Sequence, residues 1–231
     1  PITKASLNRI VDQTQRITPR GAYGSAMGYS QGFLTQSALL LDEMGDAEKM
    51  LHWTSRLTYY HVPDNEAWCY IVPEGAEIHH SGNFWFRTGD LGNGVQQAET
   101  VKSVRIVLGI DNREEQRLGL FPRLPQHWTT ASVSRYPVWF EKAGARHREQ
   151  LAYTLERTKD GADLDVEFSA VYPYEVDIRL GSFKKLGDDL RVTVDGSPVD
   201  FTTSASGDSA WISLTVQEGG EGFRVEVHGA S

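Results

Sequence analysis

Hydrophobic positions change their spacing about halfway along the chain. Up to about residue 117 they recur at intervals of three and four; from Ala131 onward they recur at every second residue. The first period belongs to helices and the second to strands. Leu7, Ile10 and Val11 mark one face of a helix over about Thr3–Ile17, which Pro19-Arg20-Gly21 breaks. Residues 20–28 (RGAYGSAMG) read as a small-residue loop. The next helix is predicted over Tyr29–Met44. Phe33, Ser37, Leu40 and Leu41 lie on its buried face, and Leu34, Ala38 and Leu39 widen it until the helix is apolar nearly all round. Gly45 stops it and Asp46 caps an amphipathic helix over Ala47–Tyr60, with Met50, Leu51, Trp53, Thr54 and Leu57 inward. The two form an αα-hairpin, one inner and one outer helix of a layered array. A further, largely buried helix is predicted from Asp90 or Asn93 to Leu108. Leu91, Val95, Ala98 and Val101 lie on one face, Val104, Val107 and Leu108 on another, and Gly109 closes it.

The second half reads differently. Leu118–Pro125 (LGLFPRLP) is an extended linker whose prolines forbid a long helix. After it come about eight short alternating runs, from VSRYPVWFEK to FRVEVH. They are separated by turns such as Lys159-Asp160-Gly161, Asp195-Gly196, Ser206-Gly207-Asp208 and Glu218-Gly219-Gly220. Helices followed by strands define an α+β chain. The organisation expected is a helical segment over 1–117, a linker over 118–130 and a C-terminal antiparallel β-sandwich over 131–231.

Between the second and third of these helices, Pro63–Asp90 (PDNEAWCYIVPEGAEIHHSGNFWFRTGD) has no sustained period. A connection of this length is either functional or disordered. Trp68, Tyr70, Phe84, Trp85 and Phe86 argue against disorder, which is poor in aromatics. Glu66, Glu74, Glu77, His79, His80 and Arg87 make it the densest set of reactive side chains in the chain. Aromatic faces that stack on ring C–H groups, mixed with carboxylates and amides that bind hydroxyls, are what a sugar site requires.

Composition narrows the partners. A net charge of −8 over 231 residues argues against nucleic acid. No apolar run approaches the ~18 residues of a membrane span, and the N-terminal PITKASLNRI has no apolar signal core. The chain opens on Pro1 rather than Met, as a processed or partial chain would. Cys69 is the single cysteine, which rules out an intrachain disulfide framework and leans the localisation toward the cytoplasm. No cofactor is expected. His79 and His80 follow Glu77 closely, but adjacent histidines on an extended chain point to opposite faces, so no metal is expected either.

Three stretches carry a resemblance. Gly28-Tyr29-Ser30-Gln31-Gly32-Phe33 opens one helix, and Gly92-Asn93-Gly94-Val95-Gln96-Gln97-Ala98-Glu99 opens another that ends in Leu108-Gly109-Ile110-Asp111. The third is Leu118-Gly119-Leu120-Phe121-Pro122-Arg123-Leu124-Pro125-Gln126-His127-Trp128. Together these resemble the last part of a six-hairpin, (α/α)6-barrel glycosidase and its exit into a trailing β-sandwich. The resemblance implies a carbohydrate substrate and carboxylate chemistry. About four helices are predicted, against the twelve that six hairpins need. The resemblance therefore also implies an upstream segment or a second chain that completes the barrel, where the general acid often lies.

Glycoside hydrolysis ordinarily uses two carboxyl groups, roughly 5–5.5 Å apart for retention and about 6.5–9.5 Å for inversion. Glu74 and Glu77, flanking Gly75 after Pro73, are the first candidates for the base-like carboxylate, with Glu66 third. Trp68, Tyr70 and Trp85 are candidates to stack on sugar rings, His79 and His80 to bind hydroxyls, and Arg87 to pair with a uronate carboxylate. Two alternatives stand beside hydrolysis. One is a non-catalytic carbohydrate-binding or assembly piece. The other is a polysaccharide lyase with Tyr70 or a histidine as base.

Overall fold

The computed structural model describes residues 26–55, 70–71, 94–114 and 116–231. Most of these residues are in strands, and the helices come first in the chain. The chain divides into two compact units, Pro1–Val104 and Arg105–Ser231.

In the first unit, helix α1 (Gly28–Leu40) and helix α2 (Met44–Ser55) form the predicted hairpin. Its turn falls at 41–43, earlier than Gly45-Asp46. Asp42 takes a left-handed conformation (φ 58), which a short polar side chain tolerates. The Glu43 N–H then bonds back to the Ala38 carbonyl at 3.0 Å, ending α1, and the Glu43 carbonyl accepts the Ala47 N–H at 2.8 Å, starting α2. Asp46 sits inside the first turn of α2, where a negative charge suits the helix dipole, and pairs with Lys49.

The buried stripe of α1 is Gly32, Thr35, Ala38 and Leu39, whereas Phe33, Ser37 and Leu40 are exposed. Helix α3 (Gly94–Leu108) likewise buries Glu99, Thr100, Ser103 and Val107 and exposes Ala98, Val101 and Val104. Of the apolar positions predicted to be buried, Ala38, Leu39 and Val107 are buried, whereas Phe33, Leu40, Ala98, Val101 and Val104 are outward. A different constraint sets the stripe: α1 and α3 approach at Gly32, where a Cβ would collide with the Glu99 side chain. Only a residue without a Cβ allows backbones this close. In α2, Met44, Ala47, Met50 and Leu51 are buried, and Met50 and Leu51 were among the positions predicted inward. Two short strands complete the described part of this unit. β1 (Ala26–Met27) pairs antiparallel with β2 (Tyr70–Ile71), Ala26 opposite Ile71 and Met27 opposite Tyr70.

The second unit holds two sheets. The strands are β3 (Ile110–Glu114), β4 (Arg117–Leu120), β5 (Thr130–Lys142), β6 (Ala145–Arg157), β7 (Gly161–Tyr172) and β8 (Glu175–Phe183). After them come β9 (Leu186–Val194), β10 (Ser197–Pro198), β11 (Thr202–Ser206), β12 (Ser209–Val216) and β13 (Gly220–Ala230). One sheet has the order β10-β9-β13-β7-β6-β5 and the other β11-β12-β8-β4-β3. All pairs are antiparallel except β4 with β8. The eight alternating runs fall on strands, VDFTTS only from Thr202 onward. Two further strands, β3 and β4, precede them, so part of the stretch read as a linker is β4, an interior strand of the five-stranded sheet.

Alternation explains the core. Leu151, Tyr153 and Leu155 of β6, Leu164, Val166 and Phe168 of β7, and Val225 and Val227 of β13 are buried from one sheet. Ile178 and Leu180 of β8, Ile212 of β12 and Leu118 and Leu120 of β4 are buried from the other, in the same cluster. Each such side chain contributes ~1.5–3 kcal/mol of burial. Gly109, with φ 62, ends α3 and turns the chain directly into β3; its carbonyl accepts the Phe121 N–H at 2.7 Å. The edges of the two sheets are joined by one side chain. Asn112 of β3 donates to the Trp139 carbonyl of β5 at 2.9 Å and accepts the Trp139 N–H at 2.6 Å, capping backbone groups that an edge strand would leave unpaired.

Gly32→Ala is predicted to destabilise the protein by ~1–3 kcal/mol, because the added methyl must push α1 and α3 apart. Urea unfolding followed by circular dichroism measures this. An unchanged midpoint would show that the close approach does not hold the helices.

Candidate functional site

Of the residues predicted for the site, Glu66, Trp68, Glu74, Glu77, His79, His80, Trp85 and Arg87 lie outside the described residues. Tyr70 lies in β2, and its backbone pairing with Met27 ties that point of the 63–90 segment to the chain immediately before α1. The described chemistry lies in three other places.

The first is Glu99, a buried carboxylate that pattern reading left unremarked except as part of a helix opening. Gln36 donates to its Oε2 at 2.6 Å and Lys102 to its Oε1 at 2.6 Å. Burial raises its pKa, but the bonds from Lys102 and Gln36 outweigh that and hold the carboxyl below its ordinary value. With both oxygens engaged, Glu99 is a clasp between α1 and α3 and stays ionised. No sequence signal pairs Gln36 with Glu99; the only trace is the small Gly32 one turn away.

The second is a cleft of about 600 Å³ on the outer face of the five-stranded sheet. Strand register builds it. Asp111 stands opposite Gly119, Gly119 lies beside Asp177 across the parallel pair, and Asp177 stands opposite Thr215. Arg113 grips Asp111 through Nε at 2.7 Å and through Nη2, and Arg117 grips Asp177 through Nη2 at 2.8 Å and through Nε. Thr215 Oγ1 donates to Asp177 at 2.8 Å. Gly119 is buried, and the Phe121 ring lies where its Cβ would project and forms the floor. Glu114 completes the wall.

The electrostatics of this cleft decide what it can do. The hydrogen bond from Arg113 holds the Asp111 carboxyl below the usual carboxylate range, against partial burial. The bond from Arg117, with that from Thr215, does the same for Asp177. A general acid needs its pKa raised toward neutrality, so neither carboxyl is a proton donor. The pairs are orienting groups that bind without reacting. Among the described residues no three metal-type side chains are gathered as a metal site requires.

The third place is the aromatic set of the strands. Tyr153, Tyr172 and Trp211 are buried. Tyr153 donates to the Leu108 carbonyl at 2.7 Å, burial pushes the Tyr172 phenol up to about 12, and Arg179 covers the Trp211 ring at 3.9 Å. Tyr174 is half-buried and donates to the Glu141 carbonyl. Trp139 is exposed on the outer face of the six-stranded sheet, with the guanidiniums of Arg146 and Arg148 over its ring at 4.9 and 5.7 Å. Of these five aromatics, Trp139 is the one that is exposed.

No family model matches the sequence, and no curated protein matches it. Among solved structures, the chain is similar to a GH127 beta-L-arabinofuranosidase from Geobacillus stearothermophilus T6. The likeness is at 15% identity and a TM-score of 0.41, over 89% of this chain and 32% of that one. The chain thus spans about a third of that enzyme's length.

The depressed carboxylates give a pH prediction with a definite sign. As pH falls, the unfolded chain takes protons near the ordinary aspartate value of about 3.9, while the folded Asp111 and Asp177 still resist protonation. Their stabilisation is therefore complete above that value and lost as pH falls through the lower folded-state value. Urea midpoints measured from neutral pH downward should fall more steeply below about pH 4 for the wild type than for Asp177→Asn. Equal slopes would contradict the pairing.

Proposed function

We propose that the chain is a glycoside hydrolase, or the C-terminal piece of one, in which the 63–90 segment presents a carboxylate to a glycosidic bond. The detailed reading is a partial six-hairpin barrel in the helical unit and a trailing β-sandwich in the unit that follows it. The observation that carries it is the β1–β2 pairing. It ties an acidic and aromatic segment to the start of a helix, in a helical unit followed along the chain by a two-sheet unit. The arabinofuranosidase likeness is too slight to bear on the reaction.

Within this reading Glu74 or Glu77 activates water or attacks the anomeric carbon, and Glu66 is the third candidate. Trp68, Tyr70 and Trp85 hold the sugar face, and His79, His80 and Arg87 hold its polar groups. Glu99, Asp111 and Asp177 supply no acid, because each is held ionised by a neighbouring cation. In this reading the proton donor is another of the segment's glutamates, or a group on an upstream segment or second chain. Single changes of Glu66, Glu74 and Glu77 to Gln test the assignment. Loss of roughly 10²–10⁴-fold in kcat is expected for at least one, measured as release of reducing ends. Full turnover in all three variants would remove the site from 63–90. An ultraviolet-absorbing unsaturated product would replace hydrolysis by lyase chemistry.

A second reading, an assembly piece that completes a larger barrel, is favoured by the exposed apolar side chains of α1 and α3. Phe33 is 53%, Leu40 59%, Val101 55% and Val104 46% exposed. Apolar side chains grouped on helices invite a covering partner. Light scattering decides. This reading predicts self-association or capture of a helical partner, and a monomer at high concentration that binds none would contradict it.

A further inference from the structure

We propose that the cleft over Gly119 is a binding site for a neutral saccharide unit, separate from the 63–90 segment. The inference takes its ligand class from the lining itself and shares with the proposed function only that class.

Three features of the lining select the ligand. The first is charge. Asp111, Glu114 and Asp177 face Arg113 and Arg117 in the cleft wall, three anions against two cations. Both guanidiniums are already clamped on carboxylates through Nε and Nη2. No surplus positive charge is left to draw in an anion, and the aspartates are turned to arginines rather than gathered around a metal position. The second is hydrogen-bonding capacity. A carboxylate accepts at about four lone-pair positions and a guanidinium donates five hydrogens, so each bidentate pair retains both acceptors and donors. Among the described residues the Nη1 of Arg113 and of Arg117 has no protein acceptor. An acceptor and a donor fixed side by side match the hydroxyls on neighbouring carbons of a sugar. A polar group in a rigid frame loses little entropy on binding.

The third feature is the floor. Gly119 interrupts the row of side chains, and the half-buried Phe121 ring fills the space its missing Cβ leaves. An apolar ring between two charged pairs is suited to the C–H face of a pyranose or furanose ring. The volume, about 600 Å³, lies within the range of small-ligand sites, ~300–1,000 Å³. The same charge count disfavours uronates, whose carboxylate would meet the excess of anions.

Saturation-transfer NMR on the full chain tests the site. D-glucose, D-galactose, D-xylose, L-arabinose and D-galacturonate are offered one at a time at millimolar concentration. Transfer to the ring protons of at least one neutral sugar is expected, weakened about tenfold in affinity, equivalent to ~1.4 kcal/mol, in Phe121→Leu and in Arg113→Ala. The Arg113 side chain is 88% exposed, so its removal leaves folding intact and keeps the test decisive if Phe121→Leu unfolds. The proposal is overturned if no neutral sugar receives saturation, if galacturonate alone does, or if a folded variant binds as the wild type does. The readout needs no turnover. Failure of hydrolysis therefore leaves this site standing, and failure here leaves the glutamate variants to be judged on their own.

Discussion

Two sheets share one core, and that single constraint fixes what every other strand position can be. A side chain in β6, β7, β8, β12 or β13 either enters the cluster around Leu164, Ile178 and Val225 or points away from it. Because the period is two, a slip of one residue would invert every strand. The outer faces inherit their chemistry from this. Leu118 and Leu120 are buried in the shared core, so Arg117 and Gly119 lie on the other side of β4, Arg117 exposed and Gly119 covered by the Phe121 ring. Val176 and Ile178 are buried, so Glu175 and Asp177 face outward beside them. The two arginine–aspartate pairs of the cleft are a consequence of packing on the opposite side of the same strands.

The helical unit obeys a different rule. Gly32 lets α1 approach Glu99 of α3, and around that point the buried side chains include polar ones, Thr35, Glu99 and Ser103, with Gln36 bonded to Glu99. A buried carboxylate is tolerable because Lys102 and Gln36 satisfy it. The same arrangement leaves Phe33 and Leu40 outward, which a rule of burying the most apolar face would not produce.

This difference accounts for what could be read from the sequence. The strands after Ala131 were legible because alternation is strong there and turns such as Asp195-Gly196, with φ 50 and 75, are of the type a hairpin favours. β3 and β4 were not, because they are short and rich in charge, and because β4 pairs in parallel with β8, which follows far along the chain. The described helices were legible as elements, and the one expected over Thr3–Ile17 lies outside the described residues. Met50 and Leu51 of α2 were read inward as they stand, but much of the inward face of α1 and α3 was misread, since no apolar period records a contact made by a glycine and a paired glutamate. The hairpin turn was placed late because Asp42 does what glycine usually does. The 63–90 segment stood out by composition alone. The cleft could not, because Asp111 and Asp177 meet only through strand register.

The reaction proposed for this chain is the addition of water across glycosidic bonds. Incubation of the longest native polypeptide that carries this chain with oligosaccharides in oxygen-18 water, followed by mass spectrometry of the fragments, tests it most directly. Hydrolysis places one solvent oxygen at each new reducing end, so heavier reducing-end fragments are predicted. Intact oligosaccharides, or fragments without solvent oxygen, would contradict the account.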